Sequence, residues 1–237
     1  MSEFVLVHGA WHGAWCWEKV VPLLAARGHR VRAIDLPGHG ADPTPPGSVS
    51  WDDYMARMGE TLESAEERPI LVGHSLGGAV ITGAADRWAD EIRALVYLCA
   101  ILPDAPDFMS RFQVTTALMG GVKPSADGSV MELDPAVVHD AFYHDCSDAD
   151  AKRAAARLRP QPAGGFQMKF ELSPGGFGRV PRHYIECTDD RAIDVSAQRA
   201  MCAAMPSTVH SLAASHSPFL SMPERLVDVL ERIARSG

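Results

Sequence analysis

Ser75 lies in Gly73-His74-Ser75-Leu76-Gly77, a GxSxG pentapeptide. The apolar run Ile70-Leu71-Val72 leads into it, and Gly78 with a run of small residues over 79–85 follows. Strand, tight turn and helix is the context of a nucleophile elbow, in which the serine sits on a sharp, strained turn and projects its hydroxyl from the sheet edge. Gly73 and Gly77 leave room where side chains would strike neighbouring backbone. The helix that begins there aims its first N–H groups at developing negative charge. The chemistry implied is attack by Ser75 on a carbonyl.

A serine hydroxyl needs a base to take its proton, and the base needs a carboxylate to hold its tautomer. In a doubly wound sheet these partners belong in loops at the carboxyl ends of strands, the end at which Ser75 sits. Of ten histidines, His216 meets that condition, in the small-residue loop Ala213-Ala214-Ser215-His216-Ser217 after the last strand. His210 lies inside that strand and reads as structural; His29 and His39 come too early, and His139, His144 and His183 fall in an insertion or at a strand start. The acid should precede the base in the chain, and either Asp189 or Asp190 of Thr188-Asp189-Asp190-Arg191 can serve, with Asp104 a weaker third. Turn chemistry alone accounts for one aspartate of the pair. An oxyanion needs two fixed N–H donors. Leu76, just after the nucleophile, supplies one, and Ala10, in the loop after the first strand, is best placed for the other. His12, nearby, reads as a packing or supporting residue.

The elements that must position these groups alternate. Strands are expected over 3–8, 29–34, 69–73, 94–99, 182–187 and 207–212. Helices are expected over 15–27, over 51–66 with a Ser50–Asp53 capping box, after the elbow, near 195–205, and from a Ser221–Glu224 box onward with Leu226, Leu230 and Ile233 inward. Such alternation predicts an α/β fold with right-handed crossovers and a mostly parallel six-stranded sheet flanked by helices. The rhythm breaks at Pro103, and no strong strand is expected from there to about 178. Asp134-Pro135 and Ser147 start helices, and 149–158 is strongly helix-forming. The reading is a core of 1–103 and 171–237 carrying an inserted helical cap over 104–170. Phe108, Phe112, Met119, Phe142 and Phe166 in that cap suggest an apolar pocket, and Trp11, His74, Phe142 and Phe166 are the candidate substrate contacts.

With 237 residues, 46% of them hydrophobic and 22% charged, the chain has the composition of an ordinary globular domain with its own core. Its net charge of −8, without a basic stripe, argues against nucleic acid and anionic membrane as partners. Five cysteines with no CxxC pair suit neither a disulfide framework nor a metal site, so a reducing, cytoplasmic setting is expected. Cys99 and Cys187 end apolar runs and read as small buried hydrophobes. No apolar run reaches the length of a membrane span, and a strand beginning by Phe4 leaves no room for a secretion signal. No cofactor or metal is called for. The expected partner is a small-molecule ester, bound by a monomer or a homodimer.

The segments FVLVHGAWHGAWCWEKVVPLL, GHRVRAIDLPGHGADP, ILVGHSLGG, YIECTDDRAI and SHSPFLSMPERL together resemble an alpha/beta-hydrolase, within the branch of plant methylesterases, hydroxynitrile lyases and bacterial pyrethroid-hydrolase-like esterases. They cover essentially the whole core, whereas the cap matches weakly. The resemblance implies that the acid is the last aspartate of the CTxD pattern, Asp190, that the base is His216, and that the second oxyanion donor is Ala10. Hydroxynitrile lyases of this branch carry a threonine where this chain has Gly9 and a lysine where it has Ser217. The resemblance therefore implies a serine carboxylic ester hydrolase for a small to medium apolar or aromatic ester, working through an acyl-enzyme. The alternatives are a carbon–carbon lyase, a lactonase or thioesterase of natural-product metabolism, and a non-catalytic binding protein on the same fold.

Overall fold

The computed structural model describes residues 1–112 and 114–236. Three apolar runs form the middle of a sheet: β1 (Glu3–Val7), β3 (Ile70–His74) and β4 (Ala94–Leu98), each buried at every residue. Burial on both faces is why they read as continuous rather than alternating hydrophobic stretches. With β2 (Arg30–Ile34), β8 (Arg182–Cys187) and β9 (Thr208–Leu212) they make a six-stranded sheet in the order β2-β1-β3-β4-β8-β9. Every pairing in it is parallel. Arg30 and Arg32 on one edge and Thr208, His210 and Ser211 on the other place polar side chains on the strands most open to pairing with another chain.

Helices α1 (Val20–Ala26), α2 (Trp51–Glu63), α3 (Leu76–Trp88), α7 (Val195–Ala204), α8 (Pro218–Ser221) and α9 (Pro223–Ser236) flank the sheet. The first helix packs on the last, and α2 on α3. His29 Nε2 lies 2.5 Å from Glu231 Oε2 at the first of these contacts. The Ser50–Asp53 capping box forms as expected. The Ser221–Glu224 box does not. Ser221 closes α8, with its hydroxyl 3.5 Å from Ser217 O, and α9 starts at Pro223. Proline fits a first helical turn and keeps the residue before it out of the helical region, so the break falls just ahead of Pro223. The helix expected over 15–27 also divides, into a 3₁₀ turn at Ala14–Trp17 and α1. Pro22 has no N–H and is accommodated in the first turn of α1, where none is required.

Between β4 and β8 the chain folds into α4 (Thr116–Gly121), α5 (Pro135–Phe142) and α6 (Asp148–Ala155), the last two capped by Asp134 and Ser147. The same segment holds β5 (Val122–Pro124), β6 (Val130–Leu133) and β7 (Gln161–Pro162), paired as an antiparallel sheet. The segment expected as a helical cap thus also carries short strands. Strands of two to four residues are too short to show an alternating pattern. The readable signal was the turn: Gly128 has φ +70°, and Asp127 Oδ1 accepts from Ser129 N at 3.0 Å. No helix among the described residues is long and apolar enough to cross a membrane.

Candidate active site

The turn between β3 and α3 holds Ser75 at φ 51°, ψ −120°, a backbone state that costs an L-residue on the order of 1–3 kcal/mol. Three hydrogen bonds secure it. Ser75 N donates to Leu98 O at 3.2 Å, and Ser75 O accepts from Gly78 N and Ile101 N, both at 3.0 Å. A Cβ on Gly73 would lie 2.4 Å from Gly77 O, and one on Gly77 would lie 2.7 Å from His8 O. Both glycines of the pentapeptide are thus demanded by backbone crossing backbone. Leu76 opens α3, so its N–H is one of the first-turn donors with no acceptor inside the helix.

His216 sits in the loop after β9 with a buried imidazole whose Nδ1 is 2.7 Å from Asp190 Oδ2. Asp190 is itself buried. Its Oδ1 accepts from Ala192 N at 2.7 Å and Ile193 N at 2.9 Å, and its Oδ2 also accepts from Gln198 Nε2 at 3.1 Å. Four donors around one carboxylate favour the anion and fix its orientation. Asp189 points to solvent, and Asp104 is ion-paired with Arg111. Of the three acids weighed from sequence, Asp190 alone meets His216. His210 stays within β9, its Nε2 3.4 Å from His183 Nδ1.

The loop after β1 is held from both sides. His8 Nε2 accepts from Leu36 N at 3.1 Å, so its Nδ1 carries the proton and donates to Gly9 O at 2.8 Å. Gly9 O and the N–H of Ala10 belong to one trans peptide and point in opposite directions. Trp11 follows at φ 62°, a conformation rare for a bulky residue. His12 Nδ1 faces Ala10 O at 2.8 Å and must donate, which leaves Nε2 to accept from the Tyr143 hydroxyl at 2.8 Å. Burial is the largest cause that holds His8 and His74 well below the ordinary histidine range and brings His12 down to about 4. All three are neutral at pH 7.

Ser75, Leu76, Ala10 and His216 open onto one cavity of about 190 Å³. Met109, Phe112, Leu118, Met131, Phe142 and Phe166 of the β4–β8 segment form much of its wall, with Ile101 and Ile193 from the sheet side. Among the described residues, no acid, lysine or arginine lines it. Trp11, Phe142 and Phe166 are among its lining residues, and so are Phe112 and Met119. Two expectations need correction. His74 is fully buried behind the site, donating from Nε2 to His216 O at 2.8 Å, and does not line the cavity. It ends β3, and its ring packs against that of His216 at 4.6 Å. Phe108 is buried outside the cavity, stacked on Phe112 at 5.3 Å. His74, Cys99 and His216 bring potential metal-ligating atoms within 4.8 Å of one another, but His74 Nε2 and Cys99 Sγ both turn to His216 O and His216 Nδ1 to Asp190.

Sequence reasoning missed Gln198, Tyr143 and Asp145. Gln198 had a signal, a polar residue three before Met201 on the buried stripe of α7.

Residues 4–229 match the family described as "Alpha/beta hydrolase family". The chain is 33% identical to Putative methylesterase 11, chloroplastic, from Arabidopsis thaliana, over 99% of this chain and 64% of that protein. It therefore spans about two thirds of that relative's length. It is 35% identical to Alpha-hydroxynitrile lyase from Arabidopsis thaliana, over 98% of this chain and 96% of the relative. Among solved structures it resembles a pyrethroid hydrolase with a TM-score of 0.88 at 32% identity, covering 99% of this chain and 98% of the other.

Proposed function

Because the chain belongs to the alpha/beta hydrolase family, we propose that it is a serine carboxylic ester hydrolase whose substrate is uncharged and apolar around the scissile bond. Esterases among its relatives support the reaction class. The observation that carries the finer reading is the convergence of Ser75, His216 and the Ala10 and Leu76 backbone on one apolar cavity, with Asp190 behind the imidazole at 2.7 Å.

In this mechanism Ser75 Oγ attacks the ester carbonyl while His216 Nε2 takes its proton. Asp190 holds His216 in the Nδ1–H tautomer and stabilises the imidazolium. The N–H groups of Ala10 and Leu76 donate to the oxyanion, and the largest share of the rate enhancement comes from such preorganised donors. The alcohol leaves with the proton from His216, and a water activated by the same nitrogen releases the acid from Ser75. An uncharged wall makes a carboxylate or ammonium on the substrate costly to bury, so esters with apolar acyl groups fit best. The setting we assign is the cytoplasm, in keeping with five free cysteines.

A carbon–carbon lyase is the second reading, since one relative bears that name. Gly9 weighs against it. A Cβ there would lie 2.7 Å from Ser75 Cβ and 2.9 Å from His74 Nδ1, so this backbone has no room for a side chain that would handle a cyanohydrin hydroxyl. Ser217, after the base, is buried with its hydroxyl unpartnered and does not line the cavity.

The test is hydrolysis of p-nitrophenyl and methyl esters graded in acyl length, by wild type and Ser75→Ala side by side. Turnover by wild type alone supports the proposal. Equal turnover by both proteins, or cyanide release from mandelonitrile without ester hydrolysis, overturns it.

A further inference from the structure

Three residues at and just beyond the end of α5, Phe142, Tyr143 and Asp145, touch both halves of the proposed machinery. Phe142 stacks on the His216 ring at 5.5 Å and lines the cavity. Tyr143, fully buried, reaches the opposite side, its hydroxyl 2.8 Å from His12 Nε2. Asp145 returns to the loop that carries the base: Ser215 N donates to its Oδ2 at 2.9 Å, and the Ser215 hydroxyl donates to its Oδ1. Ser215 Oγ also contacts Phe142 O at 3.2 Å.

Tyr143 has a specific handle on the loop after β1. His12 offers a proton to Ala10 O only in its Nδ1–H tautomer, and that tautomer leaves Nε2 as a buried acceptor. The Tyr143 hydroxyl is the donor that satisfies it. Without that donor, the Nε2–H tautomer becomes competitive and the bond to Ala10 O is lost. Ala10 O lies on the peptide next to the one whose N–H serves the oxyanion, and that loop already holds Trp11 in a left-handed state. Two more bonds from the same segment of chain brace Trp11: Arg159 N to Trp11 O and Trp11 Nε1 to Met131 O, both 2.9 Å.

We propose that Tyr143 is a positioning residue for the oxyanion donor at Ala10, acting through the tautomer of His12. The inference rests on Ser75 being the nucleophile, as argued above. Tyr143 touches no substrate atom in this scheme; it sets where an N–H points.

The experiment measures the second-order rate of Ser75 phosphonylation by an alkyl fluorophosphonate, together with kcat and KM on the best ester, for wild type, Tyr143→Phe, His12→Asn and the double variant. Phosphonylation uses the same donors but needs no ester turnover, so the two readings separate. The expected result for Tyr143→Phe is a fall of about 10-fold in both labelling rate and kcat with KM within twofold, a fraction of the loss on deleting an oxyanion donor. An asparagine at 12 can donate its amide N–H to Ala10 O with no tautomer to fix. In that background Tyr143→Phe should therefore change the labelling rate less than twofold. A folded Tyr143→Phe that labels at the wild-type rate overturns the inference and leaves the nucleophile standing. An equal fall in both backgrounds also overturns it, because the effect then does not pass through His12. Wild type that neither labels nor turns over esters removes the nucleophile, and the inference with it.

Discussion

Acidification from pH 7 to pH 5 should strongly destabilise this protein through three histidines that the fold holds neutral. His8 accepts the Leu36 N–H on Nε2, His12 accepts the Tyr143 hydroxyl on Nε2, and His74 donates from Nε2 while its Nδ1 has no partner. A second proton on His8 or His12 would face a donor, and on His74 it would be buried alone. Burial accordingly pushes all three below the ordinary histidine range, His12 to about 4. In the unfolded chain each titrates near ~6.5. Between those values the unfolded state binds protons that the folded state refuses, so stability is full above about pH 6.5 and is lost as pH falls. Each neutral-locked imidazole costs about 1.9 kcal/mol between pH 7 and pH 5, and the three together about 6 kcal/mol. For His12 the loss continues to about pH 4 and totals roughly 3 kcal/mol. A domain has only about 5–15 kcal/mol to lose. Carboxylates barely contribute in this interval. Asp42, drawn down to about 2 by hydrogen bonds from Gly38 and Thr44 and by Arg57, matters only below the usual carboxylate range. The assay is urea unfolding at half-unit pH steps, followed by the fluorescence of the five tryptophans. A fall of about 3–4 kcal/mol per pH unit near pH 5.5 is expected. A change of less than about 2 kcal/mol between pH 7 and pH 5 refutes the neutral tautomers assigned to these residues.

Asp190→Asn should leave the fold intact but cut kcat by about 10⁴-fold, because an amide cannot enforce the Nδ1–H tautomer of His216; stopped assays on the best ester, with a thermal melt alongside, check both halves. Gln198→Leu takes one donor from the Asp190 carboxylate and leaves Cys187 N and Ile193 O without their partner at a fully buried site, and should destabilise by about 2–4 kcal/mol in urea. Gly9→Thr drives a side chain against Ser75 and His74, and should lower both melting temperature and ester turnover without creating cyanide release from mandelonitrile. Phe112→Ala removes part of the cavity wall and should move the preferred acyl length upward across a graded p-nitrophenyl series while leaving phosphonylation of Ser75 within a few-fold.

The sheet and the elbow could be read because buried parallel strands are unbroken apolar runs and because backbone crossing at Gly73 and Gly77 admits only glycine. His216 could be read from its place after the last strand. The choice between Asp189 and Asp190 could not be made from the residues alone, since adjacent positions differ only in the direction their side chains take; the CTxD resemblance made it, and in the structure one is exposed and the other buried under four donors. The β4–β8 segment was the hardest to read. Its short strands carry no period, and Tyr143 and Asp145 act through contacts more than 65 residues distant in sequence. His74 was misassigned because its proximity to Ser75 in sequence said nothing about whether its side chain reaches the cavity.

The buried bond from His74 to His216 closes a loop of 142 residues. Closing so long a loop is entropically demanding, and a parallel sheet whose edge strand comes late forms slowly. On a ribosome the chain therefore exposes its serine long before the imidazole that would deprotonate it has been made. In the proposed triad, that serine is an ordinary alcohol until β9 has joined the sheet beside β8. With His216 as the proposed base, phosphonylation of Ser75 in refolding experiments should serve as a clock for the arrival of the loop after β9.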